Sequence, residues 1–581
     1  MNKIVVSGLP GVGKTTICEK ISELYQIKHI DIDKQIENRC SRSITNLIRE
    51  EGELYFRKVE SEVLKKALDD DSLIISVGGG ALVDEENFEL ASKKSTIVQI
   101  KSDIDILTQR IIADEKLVEE IKRPLLVSSK DDSSNKIRNE IIKCWNKRKE
   151  FYNKANVSVW NSYATLNFVV ETIYKNLIQN KCVDKTTYVP IETSENSWMS
   201  SSQAVKCKTV IVITKSNITS ETNKNDPVII DENYSSIEKG LVSNFKESKY
   251  IYKLKSGESY KSISELEKAS IWLSESGITR ENKLIAVGGG VVGDLAGFLA
   301  STYMRGIELE HYPTTLVAQV DSAIGGKTAV NTAKGKNLVG TIYPGSKVNC
   351  VVDALNTLPV REYNSGIAEV IKYGIIYSEE FLKYIDENAE KLIARDKNTQ
   401  FEIVEFCVTA KAKVVQQDIC DVKGIRAVLN FGHTVGHAIE KMCGYGKLLH
   451  GEAVSIGMIE AMFISSIVNN IDTKLIKKIA LLLKKFNLPL EIPKEIVSGN
   501  KEYLKDSKLE EKEDLKNSKK PIDKESIFYN NWYLALTADK KRSAEKVNFI
   551  TLKEIGNTEV KKIDFETVIN CVAWDKAELI N

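Results

Sequence analysis

An excess of charge of either sign is missing from this sequence: its 581 residues carry 82 Lys and Arg against 81 Asp and Glu, a net charge of +1. The broad cationic surface of a dedicated nucleic-acid or anionic-membrane binder is thereby excluded, while local cationic pockets are not. Paired cysteines are missing too. The ten cysteines stand singly from Cys18 to Cys571 without one C-x-x-C, which points away from a disulfide framework or a thiolate zinc site and fits a reducing interior. No uncharged run of about 18 residues occurs, and Met1 leads straight into Ile4-Val5-Val6 and a glycine loop with no apolar leader. The expectation is a cytoplasmic protein without a membrane or nucleic-acid partner. Histidine is scarce, with five in the chain, yet three of them, His433, His437 and His450, share one short window.

What is present describes an ordinary globular composition, 42% hydrophobic and 28% charged, long enough for several domains. Residues 1–178 alternate short β-branched runs (Lys3 to Val6, Leu73 to Val77, Thr96 to Ile100) with helix-period stretches, the pattern of a parallel α/β sheet. Residues 179–206 turn polar and rich in Ser and Thr and read as a linker. Residues 207–358 alternate again, with strand-like Val228 to Ile230 and Leu284 to Val287, and predict a second, Rossmann-like α/β domain. Residues 359–581 read as a mostly α-helical domain, interrupted at about 499–527 by a Lys-, Asp- and Glu-rich stretch without an apolar face, a solvated insertion.

Gly8-Leu9-Pro10-Gly11-Val12-Gly13-Lys14-Thr15 fits G-x-x-x-x-G-K-[ST] between a strand and a helical stretch. Backbone N–H groups freed by the glycines cradle phosphates, Lys14 reaches the β/γ oxygens and the Thr15 hydroxyl ligates Mg2+. Behind this loop come Asp31-Ile32-Asp33, Gly52 to Glu60, Gly78-Gly79-Gly80, Arg123-Pro124-Leu125-Leu126 and Arg148. In this order the blocks resemble shikimate kinase over residues 1–178. The resemblance implies that ATP binds along Gly11, Val12, Gly13, Lys14, Thr15 and Thr16. It also implies that Arg123, on a lid, neutralises the transferring phosphoryl group and that Asp31 orients the Mg2+ shell. Shikimate would be held by Asp33, Arg57, Gly79 and Arg148, with Glu60 supporting Arg57; Lys14, Asp33 and Arg123 would act in catalysis. Arginines suit bidentate carboxylate capture and an acid suits positioning of the attacking hydroxyl. The lid carries more Glu and Lys than that family usually shows.

A second glycine turn, Gly288-Gly289-Gly290-Val291-Val292-Gly293-Asp294, follows a strand, although it is not G-x-G-x-x-G. Tyr303-Met304-Arg305-Gly306, Pro313-Thr314-Thr315, Asp321 to Lys327 and Gly335-Lys336-Asn337 follow, cations recurring among glycines as an anion cage would require. Asn430-Phe431-Gly432-His433-Thr434-Val435-Gly436-His437 sets two imidazoles at i and i+4 on one helical face, so that spacing alone makes both of them metal ligands. No H-E-x-x-H glutamate lies between them, which disfavours a zincin peptidase.

With Gly366 to Gly374, these blocks resemble 3-dehydroquinate synthase from about residue 209 onward. The resemblance implies Glu369, His433 and His450 as protein ligands of Zn2+ or Co2+, with His437 left to hydrogen-bond substrate. It implies NAD contacts at Asp231, Asn233, Glu258, Lys261, Gly289, Gly290, Val291, Asp294, Thr314, Thr315, Lys327, Lys336 and Thr357. Substrate contacts carry over to Arg305, Asp321, Lys327, Lys336, Asn337, Lys372, Lys411, Arg426, Asn430, His437 and Lys540, of which Asp321, Lys327, Lys372 and His437 would act in the chemistry. Homodimerisation through this half and small-molecule substrates are further expectations of the resemblance. Asp418 to Arg426 is one residue longer than usual, with Ile419 where an acid is common. Two other readings remain. A related sugar-phosphate cyclase or a metal-dependent polyol dehydrogenase would share the glycine turn and metal set, the dehydrogenase without needing the whole cationic cage, and a kinase-like half could bind nucleotide without turnover.

Overall fold

The computed structural model describes residues 2–116, 126, 133–178, 185–196, 204–216, 223–235, 245, 247–333, 335–443, 447–492, 542–543 and 546–573. Arg123, Lys540 and the charged stretch at 499–527 lie outside these residues. The chain folds as two compact units, Met1–Ser194 with Lys206–Ser216, and Glu195–Val205 with Asn217–Asn581.

In the first unit, strands β1 (Ile4–Gly8), β2 (His29–Asp31), β3 (Ile74–Ser76), β4 (Thr96–Lys101), β5 (Val157–Trp160), β6 (Thr186–Asn196) and β7 (Ala204–Thr214) lie in the order β2-β3-β1-β4-β5-β6-β7. The pairs from β2 through β6 are parallel. Ile4, Val5 and Val6 are fully buried, as a central parallel strand covered on both faces requires. One face packs through Val5, Ile75 and Ile97 against Phe56, Val59 and Leu64 of the helix Glu53–Asp69. This arrangement puts the glycine loop after β1, the acid at the end of β2 and the triple glycine after β3 at one edge of the sheet, where parallel α/β folds bind ligands.

The stretch read as a linker is not one throughout: Thr186–Asn196 is a strand, and Ala204 begins another. Thr186, Thr187, Tyr188, Val189 and Ile191 are buried. Threonine counts as polar in composition, but its branched Cβ suits a strand.

In the second unit, β8 (Val228–Asp231), β9 (Ile251–Leu254), β10 (Lys283–Gly288), β11 (Glu308–Pro313) and β14 (Lys347–Val351) run parallel in the order β14-β11-β10-β8-β9. An antiparallel hairpin, β12 (Lys327–Thr332) and β13 (Gly335–Ile342), stands beside the helix Gly290–Thr302. The later part is mostly helical, with Val360–Tyr377, Lys397–Gln417, His433–Cys443 and His450–Asn469, but it also holds a small antiparallel sheet of β15 (Arg542–Ser543), β16 (Lys546–Glu554) and β17 (Asn557–Asp564). His450–Asn469 is apolar enough and long enough to cross a membrane, yet 78% of that window is buried inside the fold. It is the central core helix of this region.

Two glycines let that helix come close to its neighbours. A Cβ on Gly451 would lie 1.8 Å from the Ser365 carbonyl oxygen, and one on Gly457 would lie 2.0 Å from that of Gly432. No larger residue fits at either place, and the Gly451 N–H donates to Ser365 Oγ at 2.9 Å. His450, at the start of its helix, is thereby held against the helix that carries Glu369 and the turn that precedes His433.

Candidate functional site

The first site forms around the turn from β1 into the helix Lys14–Tyr25. Gly8, Gly11 and Gly13 have φ of 146°, 79° and 93°, which place the backbone where L side chains are strained and leave its N–H groups open. Gly13 is the N-cap and Val12 is buried beside it. Lys14 Nζ folds back onto the Gly8 and Leu9 carbonyls at 3.0 and 3.1 Å, and burial lowers its pKa to about 8. Thr15 Oγ1 donates to Asp31 Oδ2 at 2.8 Å, which Ser76 Oγ also reaches at 2.8 Å, and Asp31 Oδ1 accepts the Lys34 N–H as helix cap. Thr15 and Asp31 thus meet, as a magnesium shell would need. Thr16 points to solvent.

Across from this loop the acceptor residues converge on the triple glycine. A Cβ on Gly78 would lie 2.9 Å from both Asp33 Oδ1 and Glu60 Oε1, one on Gly79 would lie 3.0 Å from Arg148 Nη1, and one on Gly80 would lie 2.8 Å from Arg57 Nη2. Asp33, Arg57, Glu60 and Arg148 therefore surround one glycine-lined hollow. Arg57 pairs with Glu60 at 2.7 Å and with Glu53 at 3.1 Å. Glu60 Oε1 and Arg148 Nη1 are buried without a hydrogen-bond partner, the state of groups that wait for a ligand. Burial raises the pKa of Asp33 despite Lys14, and raises that of Glu60 despite Arg57. Tyr152, whose hydroxyl donates to the Gly79 carbonyl at 2.6 Å, and Glu53 join the site without having been singled out in the sequence.

The second site begins at the other glycine turn. Gly289 caps the helix Gly290–Thr302, Val291 packs on the core below, and Cβ atoms on Gly289 and Gly290 would lie 3.0 Å from Thr315 Cγ2 and 3.2 Å from Ser322 Oγ. The turn thus has little room for a side chain at either glycine. The Thr314 N–H donates to the Gly288 carbonyl at 3.0 Å, and Thr315 Oγ1 accepts the Ala318 N–H. Buried Lys261 forms an ion pair with Asp294 and donates to Asn337 Oδ1 at 2.5 Å, and Glu258 accepts from Asn331 at 2.8 Å. These residues gather around the hairpin. Asp231 is occupied as a cap, accepting from the Asn233 and Tyr234 N–H groups and from Ser256, while Thr357 Oγ1 donates to the Ala354 carbonyl.

Glu369, His433 and His450 come together as expected. Glu369 Oε1 lies 3.4 Å from His433 Nε2 and 3.2 Å from His450 Nε2 and is buried without a hydrogen-bond partner. A carboxylate oxygen and two imidazole nitrogens converging within 4.8 Å suit a divalent ion with an open position. His433 Nδ1 lies 3.1 Å from the Phe431 carbonyl, which leaves Nε2 for a metal. The exposed His437 ring stands 5.3 Å from that of His433 and does not join the Glu369 cluster. His437 falls into a second group, with Glu440 and His450, so the helical spacing alone does not bring both histidines to the Glu369 carboxylate.

Around this cluster the cations are paired. Lys372 meets Glu369 at 2.6 Å, and Lys411 meets Asp321 at 2.6 Å, with Tyr373 also donating to Asp321. Lys411 and Lys372 hold the Asp321 carboxylate down at about 2 against the desolvation that would raise it. Burial lowers Lys411 to about 8. Arg426 is buried and donates to the Ile419 carbonyl at 2.9 Å, and half-buried Asn430 ends the same short turn, Ile425–Asn430. Lys327 pairs with Asp421 at 2.5 Å, and Lys336 pairs with Glu440 at 3.3 Å. Arg305 is exposed, and it and Met304 hold φ of 66° and 46°, a strained pair at the turn before β11. Glu440, Asn331 and Asp421, which pattern reading passed over, contact the candidate residues His450, Glu258 and Lys327. Only Glu440 had a local signal, three residues beyond His437 on the same helical face.

Residues 10–179 match the shikimate kinase family model, 251–365 match that of the 3-dehydroquinate synthase N-terminal domain, and 366–512 match that of its C-terminal domain. The 3-dehydroquinate synthase of Thermodesulfovibrio yellowstonii is 46% identical over 244 residues, which are 42% of this chain and 68% of that one. That of Alkaliphilus metalliredigens is 39% identical over 334 residues, 57% of this chain and 85% of the other. Among solved structures, the 2-epi-5-epi-valiolone synthase ValA of Streptomyces hygroscopicus subsp. jinggangensis, with NAD+ and Zn2+ bound, has a TM-score of 0.53 at 19% identity. It covers 64% of this chain and 97% of its own length and shares the fold. Both matched families are enzymes of the shikimate pathway, the kinase acting with ATP and Mg2+ and the synthase with NAD and Zn2+ or Co2+. The chain belongs to the 3-dehydroquinate synthase family and carries, over residues 10–179, a shikimate kinase domain.

Proposed function

We propose that the chain is a bifunctional cytoplasmic enzyme. One unit phosphorylates shikimate to shikimate 3-phosphate with ATP, and the other converts 3-deoxy-arabino-heptulosonate 7-phosphate to 3-dehydroquinate and phosphate. The observation that carries the first reading is the hollow at Gly78-Gly79-Gly80, where buried partnerless atoms of Glu60 and Arg148 face the phosphate loop's acceptor side. Arg57 and Arg148 bind the carboxylate of the acceptor, and the Asp33 carboxylate, made a stronger base by its burial, takes the proton of the attacking hydroxyl. Lys14, with Arg123 from the lid, spreads the charge of the transferring phosphoryl group, while Thr15 and Asp31 hold Mg2+ and its water.

The second reading is carried by the Glu369, His433 and His450 cluster beside Lys372 and Asp321. Glu369, His433 and His450 would hold a divalent ion able to polarise the reacting hydroxyl, and NAD, when bound, would supply reversible hydride transfer. The chain's own groups bind and orient: Lys327, Lys336, Asn337, Lys411 and Arg426 hold the phosphate and the acid group, and His437 hydrogen-bonds the substrate. Lys372 would stabilise negative charge developing on the substrate as phosphate leaves. The whole lysine cage favours phosphate elimination over simple polyol dehydrogenation. The synthase half forms a homodimer, and the two reactions are not consecutive, so the fusion fixes stoichiometry and not hand-over.

A divided assay tests both readings. Shikimate-dependent ADP formation and NAD-dependent phosphate release are measured on wild type, Lys14→Ala and His433→Ala. Each substitution is expected to abolish its own activity and spare the other. A wild-type chain that lacks either activity removes the reading of that half.

A further inference from the structure

Glu440 lies on the helix His433–Cys443 and is buried, an environment that a carboxylate occupies only with partners. It has two. Oε2 lies 3.5 Å from His450 Nδ1, and Oε1 lies 3.3 Å from Lys336 Nζ. The His450 ring therefore spans two carboxylates, with Nε2 toward Glu369 at 3.2 Å and Nδ1 toward Glu440. The other metal-facing histidine is arranged alike, His433 Nδ1 resting on the Phe431 carbonyl. An acceptor behind Nδ1 fixes the proton there and leaves the Nε2 lone pair for a metal, and a carboxylate acceptor raises ligand basicity more than a carbonyl does.

His437, Glu440 and His450 also lie close enough together to be read as a second cation site. The Lys336 ammonium argues against that, because it already supplies a positive charge at Glu440. A metal on Nδ1 would also have to displace the proton that the Nδ1 to Glu440 contact holds. On the metal reading given above, we propose that Glu440 is a positioning residue. It holds His450 as the Nδ1–H tautomer with Nε2 presented to a single divalent ion. Through Lys336 it also fastens the β12–β13 hairpin to the metal site, so that an anion drawing on Lys336 alters the hold on His450.

The test uses the full chain, depleted of metal, as wild type, Glu440→Ala, Glu440→Gln and His433→Ala. Zn2+ affinity by chelator competition, ions bound per chain, the visible spectrum of the Co2+ form and the melting of the metal-free protein are recorded. Glu440→Ala is expected to weaken Zn2+ binding about 10- to 100-fold and to shift the Co2+ bands. Glu440→Gln, whose amide oxygen still accepts from Nδ1–H and whose shape preserves packing, is expected to recover part of that loss, with metal-free melting at the wild-type value. One ion binds per chain. Wild-type affinity and spectrum in both Glu440 variants, while His433→Ala abolishes binding, would overturn the proposal alone, as would two ions per wild-type chain. Full Zn2+ binding by His433→Ala would overturn the metal reading and this proposal with it.

Discussion

Lys372 and Glu369, one helical turn apart, form a 2.6 Å ion pair that is closed to solvent on both sides. Two histidine nitrogens face the free oxygen of the same carboxylate. Breaking a buried pair by removing one partner costs about 3–5 kcal/mol, because the other charge is stranded. In this site a divalent ion provides a second counter-charge to Glu369. Lys372→Met is therefore expected to lose about 3 kcal/mol or more in the metal-free protein and clearly less with Zn2+ bound. Denaturant unfolding of the second unit in both states measures the difference, and equal losses would show that Lys372, not the metal, governs the Glu369 charge.

The acceptor hollow of the kinase unit makes a prediction about shape. A Cβ on Gly80 would lie 2.8 and 2.9 Å from the two terminal nitrogens of Arg57, which Glu60 anchors at 2.7 Å. The guanidinium must turn away from the position that a carboxylate would meet bidentately. Gly80→Ala is expected to raise the KM for shikimate about tenfold, near 1.4 kcal/mol, with ATP affinity and the synthase activity unchanged. Titration of both kinase substrates checks it, and a parallel loss of ATP binding would mean that the phosphate loop itself had shifted.

How far these sites could be read from sequence depends on how local their causes are. The phosphate loop needs three glycines with positive φ and a Lys-Thr pair within eight residues, Gly8 to Thr15, so its sequence and geometry coincide. The strands around Val5, Ile75, Ile97 and Ile285 were legible for a similar reason, since fully buried parallel strands read as unbroken β-branched runs. Strand β6 was not, because its buried Thr186 and Thr187 imitate a polar linker. Lys327 and Asp421 are 94 positions apart, and their pairing is set only when the hairpin meets the loop after the helix Lys397–Gln417. Glu440 has one local signal in sequence, its place three residues beyond His437 on the same helical face. The approach of His450 and Lys336 from other elements is what makes it part of the site.

Lys411 links the cage to pH. Burial lowers its pKa to about 8, with Arg426 and Lys372 nearby adding to the effect and Asp321 opposing it. The positive charge is therefore present at neutral pH and lost as pH rises through about 8. Because kcat/KM reports groups of the free enzyme, its value for the phosphorylated substrate is expected to fall above about pH 8. Competitive binding of inorganic phosphate should weaken over the same interval. Lys411→Met lowers kcat/KM at neutral pH and removes that step. A profile with the same step in the variant would assign the ionisation to another group.

Asp418 supports the substrate side from behind. Fully buried, it accepts four backbone N–H groups, from Val422 at 2.9 Å and Lys423 at 3.2 Å on one oxygen and from Ile425 at 3.1 Å and Arg426 at 3.5 Å on the other. These bonds lower its pKa although burial alone would raise it. A carboxyl whose folded pKa is depressed stabilises the fold above its unfolded pKa of about 3.9. That contribution is lost as pH falls through the folded value. Asp418→Asn turns an amide N–H2 toward backbone donors, so it should cost about 1–3 kcal/mol at neutral pH. The gap between variant and wild type should narrow below about pH 4, where Asp418 of the unfolded wild-type chain takes up a proton. Arg426 shares this loop, its guanidinium donating to the Ile419 carbonyl, so the loosened turn should raise the synthase KM while shikimate phosphorylation stays unchanged. Unfolding at two pH values and the two separate assays decide the matter. A pH-independent stability loss would show that the packing of the side chain, and not its charge, holds the turn.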